Sequence, residues 1–333
     1  MPVGLRYITD RTPGLVRKRR GSRFAYYYTD GNRIKLRAEL ERIGSLAIPP
    51  AWEHVWISPR PNGHLQATGI DARGRKQYLY HPDWRASRDE AKFERLLSFA
   101  EALPRIRKQV DRDLRRRNLS REKVLATVVR LLETSLIRIG NEEYAKENGS
   151  FGLTTMRNRH VKVNGSSVQF QFYGKGGKLH TVALSDNCIA RIVKKCQELP
   201  GQQLFQYNDE NKQAAAIGSE DVNEYLRSIT NQSFTAKDFR TWAGTVLTAV
   251  ALAHIGETES KVAAKRNIAT AIEAVAQLLG NTVAICKKCY VHPAVLDRYF
   301  DGTLVQIMHS KPPPKRYFKA EEAAVVKLLK ASL

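Results

Sequence analysis

The feature that most constrains this chain is a change of apolar rhythm near residue 85. Before it, aromatic and β-branched residues come in short runs suited to strands: Ser22–Tyr28, Trp52–Ser58, His64–Gly69 and Lys76–Tyr80. Turn signals such as Pro61-Asn62-Gly63 and Ala72-Arg73-Gly74 separate them, because Gly and Asn accept backbone conformations that other residues avoid. A single amphipathic helix is expected within this region, at about 33–43.

Beyond residue 85 the apolar positions recur at helical spacing. A charged stretch over 90–117 carries the basic run Arg112–Arg117. A helix follows, with Ser120 as its N-cap. Val124, Val128, Leu131 and Ser135 form one face, and Leu125, Val129, Leu132 and Leu136 the adjoining one, so this helix is expected to be buried. Next come three strands, Val161–Val163, Val168–Phe172 and Leu179–Leu184, joined by an Asn164-Gly165 hairpin turn and by the turn Gly174–Lys178. Further helices are expected at about 186–198, 219–229, 237–254, 263–279 and 291–300, with Gly280 as a helix stop. Lys311–Lys315 (KPPPK) reads as a linker and 321–333 as a terminal amphipathic helix; no internal repeat is present. The expected fold class is α+β: a small β-rich N-terminal domain over 1–86 and a larger, mainly α domain over 87–333 with a three-stranded β insert.

Charge narrows the partners. The chain has 55 Lys and Arg against 33 Asp and Glu, a formal net charge of +22. Such self-repulsion is tolerable beside a polyanion, and nucleic acid fits because neutralised phosphates release counterions. A membrane surface is the rival, weakened because no long apolar run, signal peptide or lipidation signal is seen. Four cysteines do not make a disulfide framework in 333 residues, and Cys286 and Cys289 form one C-x-x-C without a second pair at zinc-ribbon spacing. They read as reduced thiols one helical turn apart, which implies a reducing compartment: cytoplasmic, at the nucleoid.

Several residues could carry chemistry. Arg138 continues the stripe Val124, Val128, Leu131, Ser135. A guanidinium on an apolar face needs an anion, either Glu142 one turn later or a substrate phosphate. Lys175 lies in Tyr173–Lys178 (YGKGGK), a hairpin tip at which a lysine could serve as a mobile proton donor or could be an ordinary exposed turn residue. The Gly-x4-Gly-Lys-Ser/Thr spacing of a nucleotide-binding loop is absent. Lys237 and Arg240 open a helix whose N-terminus favours an anion, unless they are only a surface basic cluster. Asn281 follows the helix stop, and Tyr290 precedes His292-Pro293; packing is the ordinary role of one tyrosine among 13. Asp111 and Asp113, inside a basic run, read as solvated or internally paired carboxylates rather than metal ligands.

The ordered set is specific where its members are not. Arg-Ile-Gly-x-x-x-Tyr (Arg138–Tyr144), Phe-x-Gly-Lys (Phe172–Lys175), Lys-Asp-hydrophobic-Arg-Thr (Lys237–Thr241) and a tyrosine before a His-Pro helix start resemble the motifs of the type IB DNA topoisomerases, closest to their bacterial and poxvirus branch. The resemblance spans nearly the whole chain, including Gly152–Thr155 and Asp71–Tyr80. It implies a catalytic fold like that of the tyrosine recombinases and a two-domain clamp around duplex DNA. It also implies supercoil relaxation through a 3′-phosphotyrosyl intermediate. Tyr290 would be the nucleophile, Arg138, Arg240 and Asn281 the phosphate-binding donors, Lys175 the general acid and Lys237 a supporting cation. Arg75, Lys76 and Tyr144 would contact phosphates, while Gln77, Tyr78 and Tyr80 would reach base edges, with core packing the alternative for the tyrosines. Poxvirus and eukaryotic members carry histidine where this chain has Asn281. The resemblance further implies a monomer that uses no metal, nucleotide or other cofactor. The alternatives are a tyrosine site-specific recombinase, which usually has a helical front end and His-x-x-Arg, and a non-enzymatic basic DNA-binding protein.

Overall fold

A computed structural model describes residues 4–72, 74–211, 213–310 and 312–332, apart from the side chains of residues 89–91. Arg73 in the expected turn, Lys311 in the linker and Leu333 at the terminus lie outside the described residues. The chain forms two compact units, Met1–Phe93 and Glu94–Leu333.

The first unit is an antiparallel sheet with one helix. In chain order its elements are β1 (Leu15–Arg20), β2 (Arg23–Tyr27), α1 (Arg37–Ser45), β3 (Glu53–Ile57), β4 (Leu65–Ile70) and β5 (Lys76–Tyr80), with sheet order β2-β1-β3-β4-β5. Leu15, Ile34, Ile43, Val55, Ile57 and Ala67 form its core. Strand β1 is the element that the sequence reading did not foresee. Its run Leu-Val-Arg-Lys-Arg-Arg looks like a basic tail, yet Leu15 and Arg17 both face inward. Arg17 is satisfied there by the carbonyls of Ile48, Pro49 and Trp52 at 2.7–3.2 Å. The helix expected from residue 33 begins at Arg37, because Arg33 bridges Tyr27 and the Ile34 amide bonds Tyr26 O.

The second unit is mainly helical. Its elements are α2 (Pro82–Leu114), inside which the division between units falls, α3 (Arg121–Ser135), α4 (Glu142–Asn148), β6 (Val161–Asn164), β7 (Ser167–Tyr173), β8 (Leu179–Ser185), α5 (Asn187–Gln197), β9 (Gln206–Asn208), β10 (Ala214–Ala216), α6 (Ser219–Thr230), α7 (Ala236–Ile255), α8 (Lys261–Leu279), α9 (Val283–Tyr290), α10 (Pro293–Phe300), α11 (Thr303–His309) and α12 (Ala320–Lys330). The insert β6-β7-β8 is the expected antiparallel meander; the small β9–β10 hairpin was not expected. Ser120 caps α3 as expected, and Val124, Leu125, Val128, Val129, Leu131 and Leu132 are all fully buried. Helix α12 is docked, not loose: Glu322 is buried against Arg107 (2.6 Å) and the Trp242 indole (3.1 Å), and Ala324, Val325 and Leu328 are fully enclosed. Asp113 accepts from Tyr225 (2.7 Å) and Arg116 (2.9 Å), and Asp111 pairs with Arg130, so both aspartates are internally paired.

Candidate active site

One expectation about local structure needs correction. The stripe through Ser135 does not reach Arg138. Helix α3 stops at Ser135, Leu136 takes a left-handed conformation (φ 56°), and Arg138 sits on the irregular segment beyond. That segment is held by the Gly152–Thr155 motif, since Leu153 N bonds Arg138 O (2.9 Å) and Thr154 N bonds Ile139 O (2.7 Å). The helix expected at about 291–300 is present, whereas the short helix before it was not expected. Tyr290 ends the short helix α9, and α10 begins at Pro293, with His292 as its N-cap.

Helix α7 explains the Lys-Asp-Phe-Arg-Thr motif residue by residue. Asp238 caps the helix by accepting from Thr235 N (2.7 Å) and pairs with Arg95 (2.6 Å). Phe239 packs edge-on against Phe99 with ring centroids 5.0 Å apart. Lys237 stays exposed on the first turn. Arg240 turns inward, 4% exposed, and donates to Leu136 O and to Leu279 O (2.6 Å). Arg138 donates to Asn281 Oδ1 and Gly280 O. Arg240 therefore meets the C-terminal ends of both α3 and α8, and Arg138 that of α8, where helix dipoles are negative. Neither has a carboxylate partner among the described residues; in particular, Glu142 does not pair with Arg138.

Tyr290 is brought to this pair by the same helix α7. The Arg240 guanidinium lies over the Tyr290 ring, 5.3 Å from its centroid. Gly244, one turn after Arg240, lets the Tyr290 backbone approach so closely that a Cβ there would lie 2.5 Å from Tyr290 O. Thr245 then donates to Tyr290 O (3.2 Å) and accepts from His292 N (3.1 Å), pinning the end of α9. Sequence reasoning missed Gly244 and Thr245; only their spacing after Arg240 could have suggested them.

The electrostatics are those of an anion site. Burial pulls Arg240 below the usual guanidinium value, Arg138 adds repulsion, and the Tyr290 phenol partly opposes both. Arg138 is lowered by burial, again opposed by Tyr290. Arg240 Nε and Asn281 Nδ2 are buried and unpartnered among the described residues. Buried cations and donors left in this condition are costly without an anion to receive them. Arg138, Lys175, His180 and Arg240 line one small cleft, with Lys175 exposed at the β7–β8 hairpin tip. The structure thus gathers Arg138, Lys175, Arg240, Asn281 and Tyr290, and leaves Lys237 at the surface. Cys286 is fully buried on α9, and burial pushes its thiol up to about 11.

The residues expected to touch DNA are less uniform. Strand β5 is an edge strand on which Lys76, Tyr78 and Tyr80 share the exposed face and the two tyrosine rings stack at 6.2 Å. Gln77 faces the other way and donates to Asp71 (2.9 Å). Arg75 pairs with Asp71 (2.7 Å) and Lys76 with Asp10 (2.6 Å). Tyr144 is exposed on α4.

Comparison with known proteins places this arrangement. Residues 81–310 match the family described as "Eukaryotic DNA topoisomerase I, catalytic core", and residues 23–71 match "Bacterial DNA topoisomerase IB, N-terminal domain". The chain is therefore a member of the type IB DNA topoisomerase family, isomerases whose substrate is DNA. Among its relatives, the DNA topoisomerase 1B of Acanthamoeba polyphaga mimivirus is 32% identical over 90% of this chain and 92% of that one. The DNA topoisomerase 1B of Vaccinia virus (strain Copenhagen) is 24% identical over 72% of this chain and 74% of its own. The DNA topoisomerase 1 of Rabbit fibroma virus (strain Kasza) is 25% identical over 69% and 70%, respectively.

Proposed function

We propose that this enzyme relaxes positive and negative supercoils by breaking and resealing one DNA strand, with Tyr290 as the nucleophile. The observation that carries the reading is the convergence of the buried Arg240 and half-buried Arg138 guanidiniums, neither with a carboxylate partner among the described residues, on the phenol-bearing end of α9. The Tyr290 phenol releases its proton to solvent as Oη attacks the scissile phosphodiester in line, forming a 3′-phosphotyrosyl bond as the bond to the 5′-oxygen breaks. Arg138 and Arg240 hold the non-bridging oxygens as negative charge gathers on phosphorus, and Asn281 Nδ2 supplies a further, uncharged donor. Lys175 gives its proton to the departing 5′-oxygen, help typically worth ~10²–10⁴-fold. Lys237 steadies the same phosphate from the first turn of α7.

The tyrosine ester keeps the phosphodiester energy, so resealing needs no nucleotide. The chain supplies the cations that the phosphorane requires, so the reaction as drawn needs no metal. While the strand is open the 5′ end swivels. In this reading the N-terminal unit closes over the duplex as the other jaw of a clamp and a single copy suffices. Arg75, Lys76 and Tyr144 grip phosphates, and Gln77, Tyr78 and Tyr80 approach base edges. The expected place of action is the nucleoid. Plasmid relaxation in EDTA without nucleotide, comparing wild type with Tyr290→Phe, tests the proposal. Relaxation by the wild type alone is expected, whereas relaxation by the variant would assign the nucleophile elsewhere. Dependence on paired recombination sites would instead favour a recombinase.

A further inference from the structure

Among the described residues, His180 is the one ionisable group lining the cleft that the proposed reaction does not use. It lies on β8 directly across from Phe172 of β7, and the two rings stack with centroids 5.5 Å apart. Its imidazole fills the gap between two glycines from different elements. A Cβ at Gly174, the base of the hairpin that carries Lys175, would lie 2.6 Å from His180 Cδ2 and 2.8 Å from Nε2. A Cβ at Gly280, the cap of α8, would collide with His180 Cε1. Gly280 is followed by Asn281, which Arg138 holds. Both neighbours of the ring must therefore lack a side chain, and the ring is the contact between hairpin and cap. Lys175 needs such a contact, because the turn that carries it includes Gly176 and Gly177 in left-handed conformations (φ 82° and 73°).

We infer that His180 is a positioning residue: wedged between Gly174 and Gly280, it fixes the Lys175 hairpin against the turn that carries Asn281 and so sets where the general acid meets the departing 5′-oxygen. Burial, with Arg138, Lys178 and Arg240 nearby, holds the imidazole below its usual value, so the wedge adds no further cation to a crowded site. His180 Nε2 is buried without a partner among the described residues, which marks shape rather than hydrogen bonding as its contribution here. The inference rests on Lys175 being the general acid.

The test uses the full chain and two DNA substrates, one with the ordinary 5′-oxygen leaving group and one with a 5′-thiol, which departs without protonation. His180→Ala should slow single-turnover cleavage of the oxygen substrate by about 10²-fold, the scale of a misplaced catalytic group, and that of the thiol substrate by less than about 3-fold. In a Lys175→Ala background it should cost nothing further on the oxygen substrate. Gly174→Ala, which presses on the same ring from the hairpin side, should show the same oxygen-selective defect, and combining it with His180→Ala should add nothing further, because each change alone already dislodges the wedge. Equal slowing on both substrates, or full additivity with Lys175→Ala, would overturn the positioning role. Failure of Lys175→Ala itself to recover on the thiol would overturn the general-acid reading instead. The non-additivity of the double variant on the oxygen substrate would still report on the wedge.

Discussion

The guanidinium of Arg240 lies over the ring of Tyr290, its central carbon 5.3 Å from the ring centroid. The contact is fixed from both sides. Arg240 is anchored by the carbonyls of Leu136 and Leu279, and Tyr290 is anchored by Thr245, which follows one turn after Arg240 on α7. Lysine at position 240 keeps a charge but has no fork to bond both carbonyls and a phosphate together. Arg240→Lys should slow covalent adduct formation by ~10²–10³-fold and lower stability by ~1–3 kcal/mol through the carbonyls left unpaired. Rapid-quench trapping in denaturant reads the first effect and thermal unfolding the second. An unchanged rate would remove Arg240 from phosphate binding.

Thr245 gives a second prediction, one that separates placing the nucleophile from gripping DNA. Its hydroxyl donates to Tyr290 O and accepts from His292 N. Thr245→Val keeps the shape and deletes both bonds of a fully buried hydroxyl, at a cost of ~1–3 kcal/mol. Adduct formation should fall by about 10-fold or more, because a displacement of an ångström can cost about 10²-fold, while DNA affinity stays at the wild-type value. Equal losses in affinity and rate would show that the end of α9 is not what Thr245 holds.

On the edge strand β5, the ion pair Lys76–Asp10 predicts a competition. Hydrogen bonding to Asp10 raises the Lys76 ammonium, and burial of Asp10 is outweighed by Lys76 and Thr68, which lower its carboxyl. If Lys76 meets a phosphate, Lys76→Ala should reduce the slope of log affinity against log salt by about 1. Asp10→Asn should tighten binding at low salt by releasing the lysine. A filter-binding titration over several salt concentrations measures both. An unaltered slope in Lys76→Ala would place the duplex away from β5.

What could be read from the sequence was what depends on local rhythm. The meander β6-β7-β8, the Ser120 cap and most helices of the second unit follow from periodicity and turn residues. Arg138 was singled out for a reason that the structure does not support. The stripe was extrapolated past Ser135, where Leu136 turns left-handed, a change that no apolar pattern announces. The arginine is nonetheless in the site, because the Gly152–Thr155 motif clasps its backbone. Strand β1 was hidden by its own charge, since inward burial of Arg17 depends on three carbonyls distant in sequence. His180 and Thr245 were invisible for the same reason: each matters through partners in other elements, and a single sequence records no such contacts.

The docking of α12 yields a pH prediction with a definite sign. Burial alone would raise the Glu322 carboxyl, but hydrogen bonds and charge from Arg107, with the Lys319 amide and Trp242 indole, hold it below its ordinary value of 4.5. Arg107 is in turn lifted by Glu322 and Glu133 despite its burial. A carboxyl lowered in the folded state contributes its full stability above about pH 4.5 and loses it as pH falls through the folded value. Glu322→Gln strands Arg107 opposite a neutral amide, with Glu133 as its remaining carboxylate. Losing one partner of a buried pair costs ~3–5 kcal/mol. Urea unfolding at pH 7 should show that loss. Between pH 5 and 3 the variant should lose less stability than the wild type, because the proton taken up by Glu322 no longer contributes. Parallel acid limbs for the two proteins would mean that another carboxylate governs acid unfolding and that α12 is not held by this pair.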